Sequence, residues 1–269
     1  STLFRNEDSG EMHGLIRVRQ FTISEGHLII RPDQLEEEFR GCFELAKDMM
    51  ETLGLWEDCS FRFSQWDPAN PSNKYEGEAE QWNEAQEIMG NILDHLGIDY
   101  EIGIGEAAFY GPKLDIQIKN VFGKEDTLIT IQIDMLLAKK FGMEYIDSEG
   151  KKATPYIIHR TSIGCYERTL ALLIEKYAGA LPTWMAPEQV RVMPMTDRNR
   201  DYAEQIKSEL EKNGFRVTLD GRSEKIGYKI REAQLEKVPY MLVLGDKEEE
   251  AGQVAMRDRK DGKTTVMPL

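Results

Sequence analysis

Near its start the sequence carries Phe4-Arg5-Asn6-Glu7-Asp8-Ser9-Gly10, followed by Gly14-Leu15-Ile16-Arg17-Val18-Arg19-Gln20-Phe21. These residue types suit one class of ligand. A guanidinium is a planar fork that matches a phosphate, a carboxylate accepts a proton from an exocyclic amine, and an aromatic ring stacks on a base. Read as two short strands around a polar turn, the segment puts Arg5 with Glu7, and Arg17 with Arg19 and Phe21, on shared faces, because strand side chains repeat every second residue. The arrangement is built for a nucleotide, and the same residues also make a solvated charged hairpin. A second candidate pair is His27 and His159, 132 residues apart. Spacing alone does not separate metal ligands from two hydrogen-bonded core histidines.

The elements that must position these groups follow from periodicity. Asp33 is the expected N-cap of a helix to about Leu53, with Leu35, Phe39, Phe43, Ala46 and Met50 on one face. Residues 60–78 read as polar and irregular. A second helix is expected from Ala79 to about Leu96 through Trp82, Ala85, Met89 and Ile92, stopped by Gly97. Strands follow, where Leu114, Ile116 and Ile118 alternate with Lys113, Asp115 and Gln117, and Ile129, Ile131 and Ile133 alternate with Thr130, Gln132 and Asp134. One face is core; the polar face is where a substrate would lie, since an antiparallel sheet tolerates such exposure. A helix is expected from Ile163 to about Tyr177, with Ile163, Tyr166, Leu170, Leu173 and Tyr177 as its apolar stripe and Arg168 apart from it.

The proline-containing segment 181–187 reads as a linker. Beyond it the expected order is strand (189–194), helix (200–213), strand (215–219), helix (225–237), strand (240–244) and two further strands (252–258 and 263–267), a small α/β domain. The predicted division is therefore 1–182 and 187–269, in a mixed α/β chain.

With 269 residues, 41% of them hydrophobic, there is material for one or two real cores. No 18-residue apolar stretch occurs, and three scattered cysteines, Cys42, Cys59 and Cys165, suit a reducing compartment. Cytoplasm is the expected location, without a membrane role. The net charge of −14 is unevenly spread: residues 183–269 hold 16 basic and 16 acidic side chains, residues 1–182 hold 18 and 32. Global charge therefore neither supports nor vetoes nucleic acid, which a local basic patch can bind within a Debye length of about 8 Å. Gly103-x-Gly105-x-x-Ala108 imitates a dinucleotide fingerprint but is followed by Pro112 and a strand, and no GxxxxGK[ST] is present.

The opening segment resembles motif 2 of the class II aminoacyl-tRNA synthetases, and Gly164-Cys165-Tyr166-Glu167-Arg168-Thr169-Leu170 resembles their motif 3. Together with Gly105–Lys113, Ile157–Arg160, Arg222–Glu232 and Val238–Glu248 in that order, the whole chain is similar to the threonyl-tRNA synthetases. The resemblance implies a class II antiparallel catalytic sheet followed by an anticodon-binding domain. The activity it implies is ATP-dependent activation of threonine and its transfer to tRNA(Thr).

By that resemblance Arg5 clamps the α-phosphate and the amino-acid carboxylate. Glu7 reads the adenine amine, Phe21 stacks on adenine, and Arg17 and Arg168 hold the outer phosphates with Mg²⁺. His27, 22 residues after Arg5, and His159, nine before Arg168, fall at zinc-ligand offsets of the family, whose third ligand is an upstream cysteine. Tyr110, Lys113 and Gln132 fall at pocket positions. Ile23-Ser24-Glu25 replaces a common Gln-x-Asp, where Glu25 is the substrate-pocket residue that offers a longer carboxylate for the amino group, and Leu128 replaces a cysteine. Ser223, Lys225, Glu248 and Arg257 match anticodon-reading positions. His13 and His95 read as a loop residue and a helix-surface residue.

The family's dimer-forming motif 1 and closing C-terminal helix are not among the 269 residues. The intact enzyme is expected to be a homodimer, with no DNA partner, and this stretch alone to be impaired. Altered amino-acid specificity and a non-catalytic tRNA-binding paralogue are the competing expectations.

Overall fold

A computed structural model describes residues 1–69 and 75–269. The chain divides into two compact units, Ser1–Glu175 and Lys176–Leu269.

In the first unit the strands are β1 (Thr2–Phe4), β2 (Gln20–Ile30), β3 (Cys59–Gln65), β4 (Glu101–Ile104), β5 (Lys113–Lys119), β6 (Glu125–Asp134), β7 (Tyr145–Ile146), β8 (Lys152–Ala153) and β9 (Tyr156–Cys165). The helices are α1 (Leu35–Leu53), α2 (Ala79–His95), α3 (Leu137–Lys140) and α4 (Tyr166–Lys176). Seven strands form one sheet in the order β1-β2-β9-β6-β5-β3-β4, antiparallel except between β3 and β4. The mixed α/β class expected from the sequence is what the chain adopts.

One face of this sheet is buried under α1 and α2. Leu114, Ile131, Ile133 and Ile158 from the strands pack with Leu35, Phe39 and Cys42 of α1 and Met89, Ile92 and Leu93 of α2. The 3.6-residue period explains the choice: Leu35, Phe39, Cys42, Ala46 and Met50 fall on one stripe and are all buried. Cys42 thus takes the core position expected of Phe43, which is half-buried beside it. Three carboxylates, Glu36, Glu37 and Glu38, occupy the first turn of α1, where the helix dipole favours negative charge. Asp33 does not cap α1. It lies inside a short 3₁₀ turn, Pro32–Gln34, and ion-pairs with Arg31. α2 keeps its expected face, with Trp82, Ala85, Met89 and Ile92 buried.

Three further sequence expectations need correction. Residues 60–65 are strand rather than irregular, since Phe61 and Phe63 pair with Ile116 and Leu114 of β5; residues 70–74 of the same stretch lie outside the described residues. Ile163, Gly164 and Cys165 extend β9, so α4 starts only at Tyr166. The buried side of α4 is then Thr169, Leu172 and Leu173, while Tyr166 and Leu170 are exposed. Finally, the opening is a hairpin with a long connection rather than a tight turn: β1 ends at Phe4, its antiparallel partner β2 starts at Gln20, and Arg5, Glu7, Arg17 and Arg19 lie in the loop between them.

Gly164 is what lets β9 pass into α4. Its φ is +72°, and a Cβ there would lie 1.9 Å from the Leu128 carbonyl oxygen of β6. Gly164→Ala combines left-handed backbone strain with overpacking against main chain, a cost of about 3 kcal/mol or more. Thermal unfolding followed by circular dichroism should show a fall of roughly 6 to 12 °C in the Tm of a unit this size.

The second unit holds β10 (Val190–Pro194), α5 (Arg200–Lys212), β11 (Val217–Leu219), α6 (Ile226–Leu235), β12 (Tyr240–Leu244), α7 (Asp246–Ala251), β13 (Gln253–Asp258) and β14 (Thr264–Pro268). Its sheet order is β11-β10-β12-β13-β14, with β10, β11 and β12 parallel and the last two strands antiparallel. The short, acidic α7 is too small for periodicity to announce it.

Candidate active site

The polar face of the first sheet carries the site, and strand register builds it. Residues paired across neighbouring strands share a face. One lateral row runs Ser64, Lys113, Gln132, His159, His27 across β3, β5, β6, β9 and β2. Two residues along each strand a second row lies on the same face: Asp115 faces Thr130, and Thr161 faces Glu25. Thr161 Oγ1 joins the halves by accepting the Thr130 N–H at 3.2 Å. Histidines 132 residues apart in sequence are therefore direct cross-strand partners, with ring centroids 4.5 Å apart.

A cavity of about 340 Å³ opens on these rows, and its lining includes Arg5, Glu7, Arg17, Phe21, Glu25, Tyr110, Gln132, His159 and Arg168. The loop between β1 and β2 supplies the charged end. It is pinned where the Arg5 N–H meets the Arg19 carbonyl at 2.8 Å and Arg19 Nε donates to the Glu7 carbonyl at 2.9 Å. So Arg5, Glu7, Arg17 and Phe21 do converge, through loop hydrogen bonds rather than strand alternation, while Arg19 is used to hold the loop.

Within the cavity the Arg5 guanidinium sits 5.1 Å from the Phe21 ring centre. Arg17 bridges Glu7 and Glu11 at 2.8 and 2.7 Å. Its hydrogen bond holds the Glu7 carboxyl below the usual carboxylate range, so Glu7 stays an acceptor. Arg168, at the start of α4, donates from Nε to the Ile16 carbonyl (3.2 Å) and from Nη1 to the Thr127 carbonyl (2.7 Å). One side chain thereby ties the loop to β6.

At the other end, Tyr110 donates to Gln132 Oε1. Burial, with the nearby charges of Asp134 and Glu25, pushes its phenol up to about 12, so it remains a donor at neutral pH. Gly111 beside it allows close main-chain approach, since a Cβ there would lie 2.0 Å from the Ile133 carbonyl oxygen. Lys113 does not line the cavity; its Nζ binds Asp115 Oδ2 at 2.6 Å. Asp115 is buried and also accepts from Ser64 and Thr130, so the polar alternation of β5 is largely covered rather than open to substrate.

Glu25, His27 and His159 form a candidate metal group among the described residues, with ligand atoms all within 4.8 Å of one another. Two imidazole nitrogens and one carboxylate oxygen are the donor types of an open three-ligand zinc site. Cys42 lies in the core and Cys165 contacts Glu167 at 3.3 Å, so neither joins the group. Asp134 and Asp115, the buried carboxylates behind His159 and Lys113, were not singled out from sequence. Their signal was present in the same i, i+2 alternation that marks Gln132 and Lys113.

In the second unit, Ser223 and Lys225 lie where α6 begins, lining a cavity of about 390 Å³ with Arg200, Arg222 and the buried Lys229. Glu248 and Arg257 do not line it. Glu248 Oε2 accepts the Gly245 N–H at 2.9 Å, closing the first turn of α7. Arg257 pairs in register with Met241 near the opposite end of β12 and reaches toward Gly262. His13 sits in the loop, and His95 ends α2 beside Glu36.

Residues 1–177 match the profile of the tRNA synthetase class II core domain (G, H, P, S and T). The chain belongs to the class II tRNA synthetase family. Residues 189–269 of this synthetase chain match the anticodon binding domain. Among its relatives, a threonine–tRNA ligase of Clostridium perfringens (strain 13) is 61% identical over all 269 residues, and threonine–tRNA ligase 1 of Bacillus subtilis (strain 168) is 48% identical over the same span. In both cases the match covers 100% of this chain and 42% of the relative, so the synthetase chain spans less than half the length of these proteins. A crystal structure of the RNA binding domain of threonyl-tRNA synthetase from Cryptosporidium parvum Iowa II superposes with a TM-score of 0.92 at 33% identity, covering 100% of this chain and 66% of that one. A prolyl-tRNA synthetase from Cryptosporidium parvum, at 18% identity and a TM-score of 0.69, shares the fold.

Proposed function

We propose that this chain is the amino-acid-activating and anticodon-binding part of a threonine–tRNA ligase, joining threonine to ATP as threonyl-adenylate with release of pyrophosphate and then charging tRNA(Thr). The observation that carries this reading is the meeting, in one cavity, of Arg5, Arg17, Arg168, Glu7 and Phe21 with Gln132 and His159 of the polar row, where His159 is the cross-strand partner of His27. Similarity to threonine–tRNA ligases over the full chain supports it.

The reaction needs no nucleophilic side chain. The threonine carboxylate attacks the α-phosphorus, the bond to the pyrophosphate oxygen breaks, and the enzyme's task is positioning and charge neutralisation. Arg5 faces both the attacking carboxylate and the α-phosphate. Arg17 and Arg168 take the outer phosphates, for which Arg17 must leave Glu11, and Glu7 accepts from the adenine amine. Tyr110, from the loop before β5, and Gln132 of β6 orient the amino acid. Mg²⁺ arriving with ATP would add positive charge at the phosphates. Zn²⁺ held by His27, His159 and Glu25 would act as a Lewis acid toward the amino and hydroxyl groups of threonine. By the same family reading the intact enzyme is a cytoplasmic homodimer.

Threonine-dependent ATP–pyrophosphate exchange by the full-length protein is the expected result; exchange that depends on another amino acid would overturn the assignment. For the second unit, Glu248→Gln keeps an acceptor for the Gly245 N–H but removes the charge. If Glu248 reads a base, tRNA(Thr) binding should weaken by about 1 to 3 kcal/mol, by analogy with base-edge contacts, and an anticodon-swapped tRNA should show no further loss. Equal losses on both tRNAs in a binding titration would restrict Glu248 to capping α7.

A further inference from the structure

Asp134 is fully buried at the C-terminal end of β6, and both of its oxygens are committed. Oδ1 accepts the backbone N–H groups of Leu136 and Leu137 at 2.9 and 2.8 Å, which fixes the carboxylate in the turn leading into α3. Oδ2 lies 3.0 Å from Nε2 of His159, whose side chain is 11% exposed. A carboxylate only accepts, so Nε2 must carry the proton, and a neutral imidazole has one proton to place. Nδ1 is then the ring nitrogen of His159 left with a lone pair. The Tyr110 ring, 4.9 Å from that of His159, and the His27 ring at 4.5 Å flank the imidazole.

We infer that Asp134 is a positioning residue of the amino-acid site: it holds His159 as the Nε2–H tautomer so that Nδ1 is the atom offered, together with His27 and Glu25, to a divalent cation. This rests on the metal reading proposed above. Asp134 touches neither the cation nor the substrate; it selects which nitrogen does. Carboxylates that hold ligand histidines in this way are worth about 10- to 100-fold in metal affinity.

Asp134→Asn makes the test sharp. If the amide oxygen keeps the two backbone donors, the amide nitrogen stands where Oδ2 stood and now donates to Nε2. The ring proton must move to Nδ1, which blocks the lone pair. Long-range ¹H–¹⁵N correlation spectra of the zinc-free 269-residue chain at pH 8 should show His159 as the Nε2–H form, and the Asn variant as the Nδ1–H form. Competition with a chromophoric chelator, carried out on the full-length protein, should show Zn²⁺ binding weakened by about 10- to 100-fold in the variant. Asp134→Ser, which keeps an oxygen for the turn but withdraws it from His159, should give mixed tautomers and covers the case where the Asn variant fails to fold. An unchanged tautomer in a folded variant, or a changed tautomer with unchanged Zn²⁺ affinity, overturns the inference. A full-length wild-type protein that takes up no Zn²⁺ although His159 of the 269-residue chain is in the Nε2–H form overturns the metal reading, and the metal role of Asp134 with it.

Discussion

Valine should be activated about 10⁴ to 10⁵ times less efficiently than threonine by the full-length enzyme, measured as kcat/KM in pyrophosphate exchange. The size follows from the site: if Zn²⁺ on His27, His159 and Glu25, with Gln132 and Tyr110 beside it, is built around the substrate hydroxyl, a substrate lacking that hydroxyl leaves the polar groups it covers unpaired. Serine differs. It keeps the amine and the hydroxyl and lacks one methyl, which an apolar contact penalises by only about 10- to 200-fold. His159→Ala should abolish activation of both threonine and serine, since it removes a ligand and a member of the polar row together. Valine activated as readily as serine would sink the hydroxyl-recognition account and point to a pocket reshaped by Ile23, Glu25 and Leu128.

Arg168→Ala should lower kcat for threonyl-adenylate formation by roughly 10³ to 10⁵, the range typical of an arginine that neutralises phosphoryl charge in the transition state. Two of its N–H groups already hold the Ile16 and Thr127 carbonyls, which orients the guanidinium before ATP arrives. Arg168→Lys restores the charge but not the planar fork, and one ammonium cannot serve two carbonyls at fixed positions and a phosphate, so it should recover little. Kinetics over a range of ATP concentrations up to saturation decide the matter. A rise in KM for ATP with kcat intact would limit Arg168 to anchoring the loop between β1 and β2, and full recovery by lysine would show that charge alone matters.

Much of this molecule was legible because the relevant forces are local. The stripe Trp82, Ala85, Met89 and Ile92 and the stop at Gly97 define α2, because helix periodicity and a left-handed cap act within a few residues. The isoleucine alternation in β5 and β6 sets which face is core for the same reason, and the ordered motif residues with the offsets of His27 and His159 carry the functional class. The tertiary structure decided what depends on partners distant in sequence. Whether Ile163–Cys165 were strand or helix turned on pairing with β2, where Ile23 meets Cys165, and a local apolar stripe cannot see that neighbour. Loop hydrogen bonds to the Arg19 carbonyl and from Arg19 to Glu7, not strand alternation, bring Arg5, Glu7 and Arg17 together. The row from Ser64 to His27 exists only through the register of five strands, and that register placed Asp134 behind His159 and brought Ser64 and Thr130 to Asp115. Pattern determined which residues face the same side of each strand; only the folded sheet, through hydrogen-bonded register and burial, determined which of them touch.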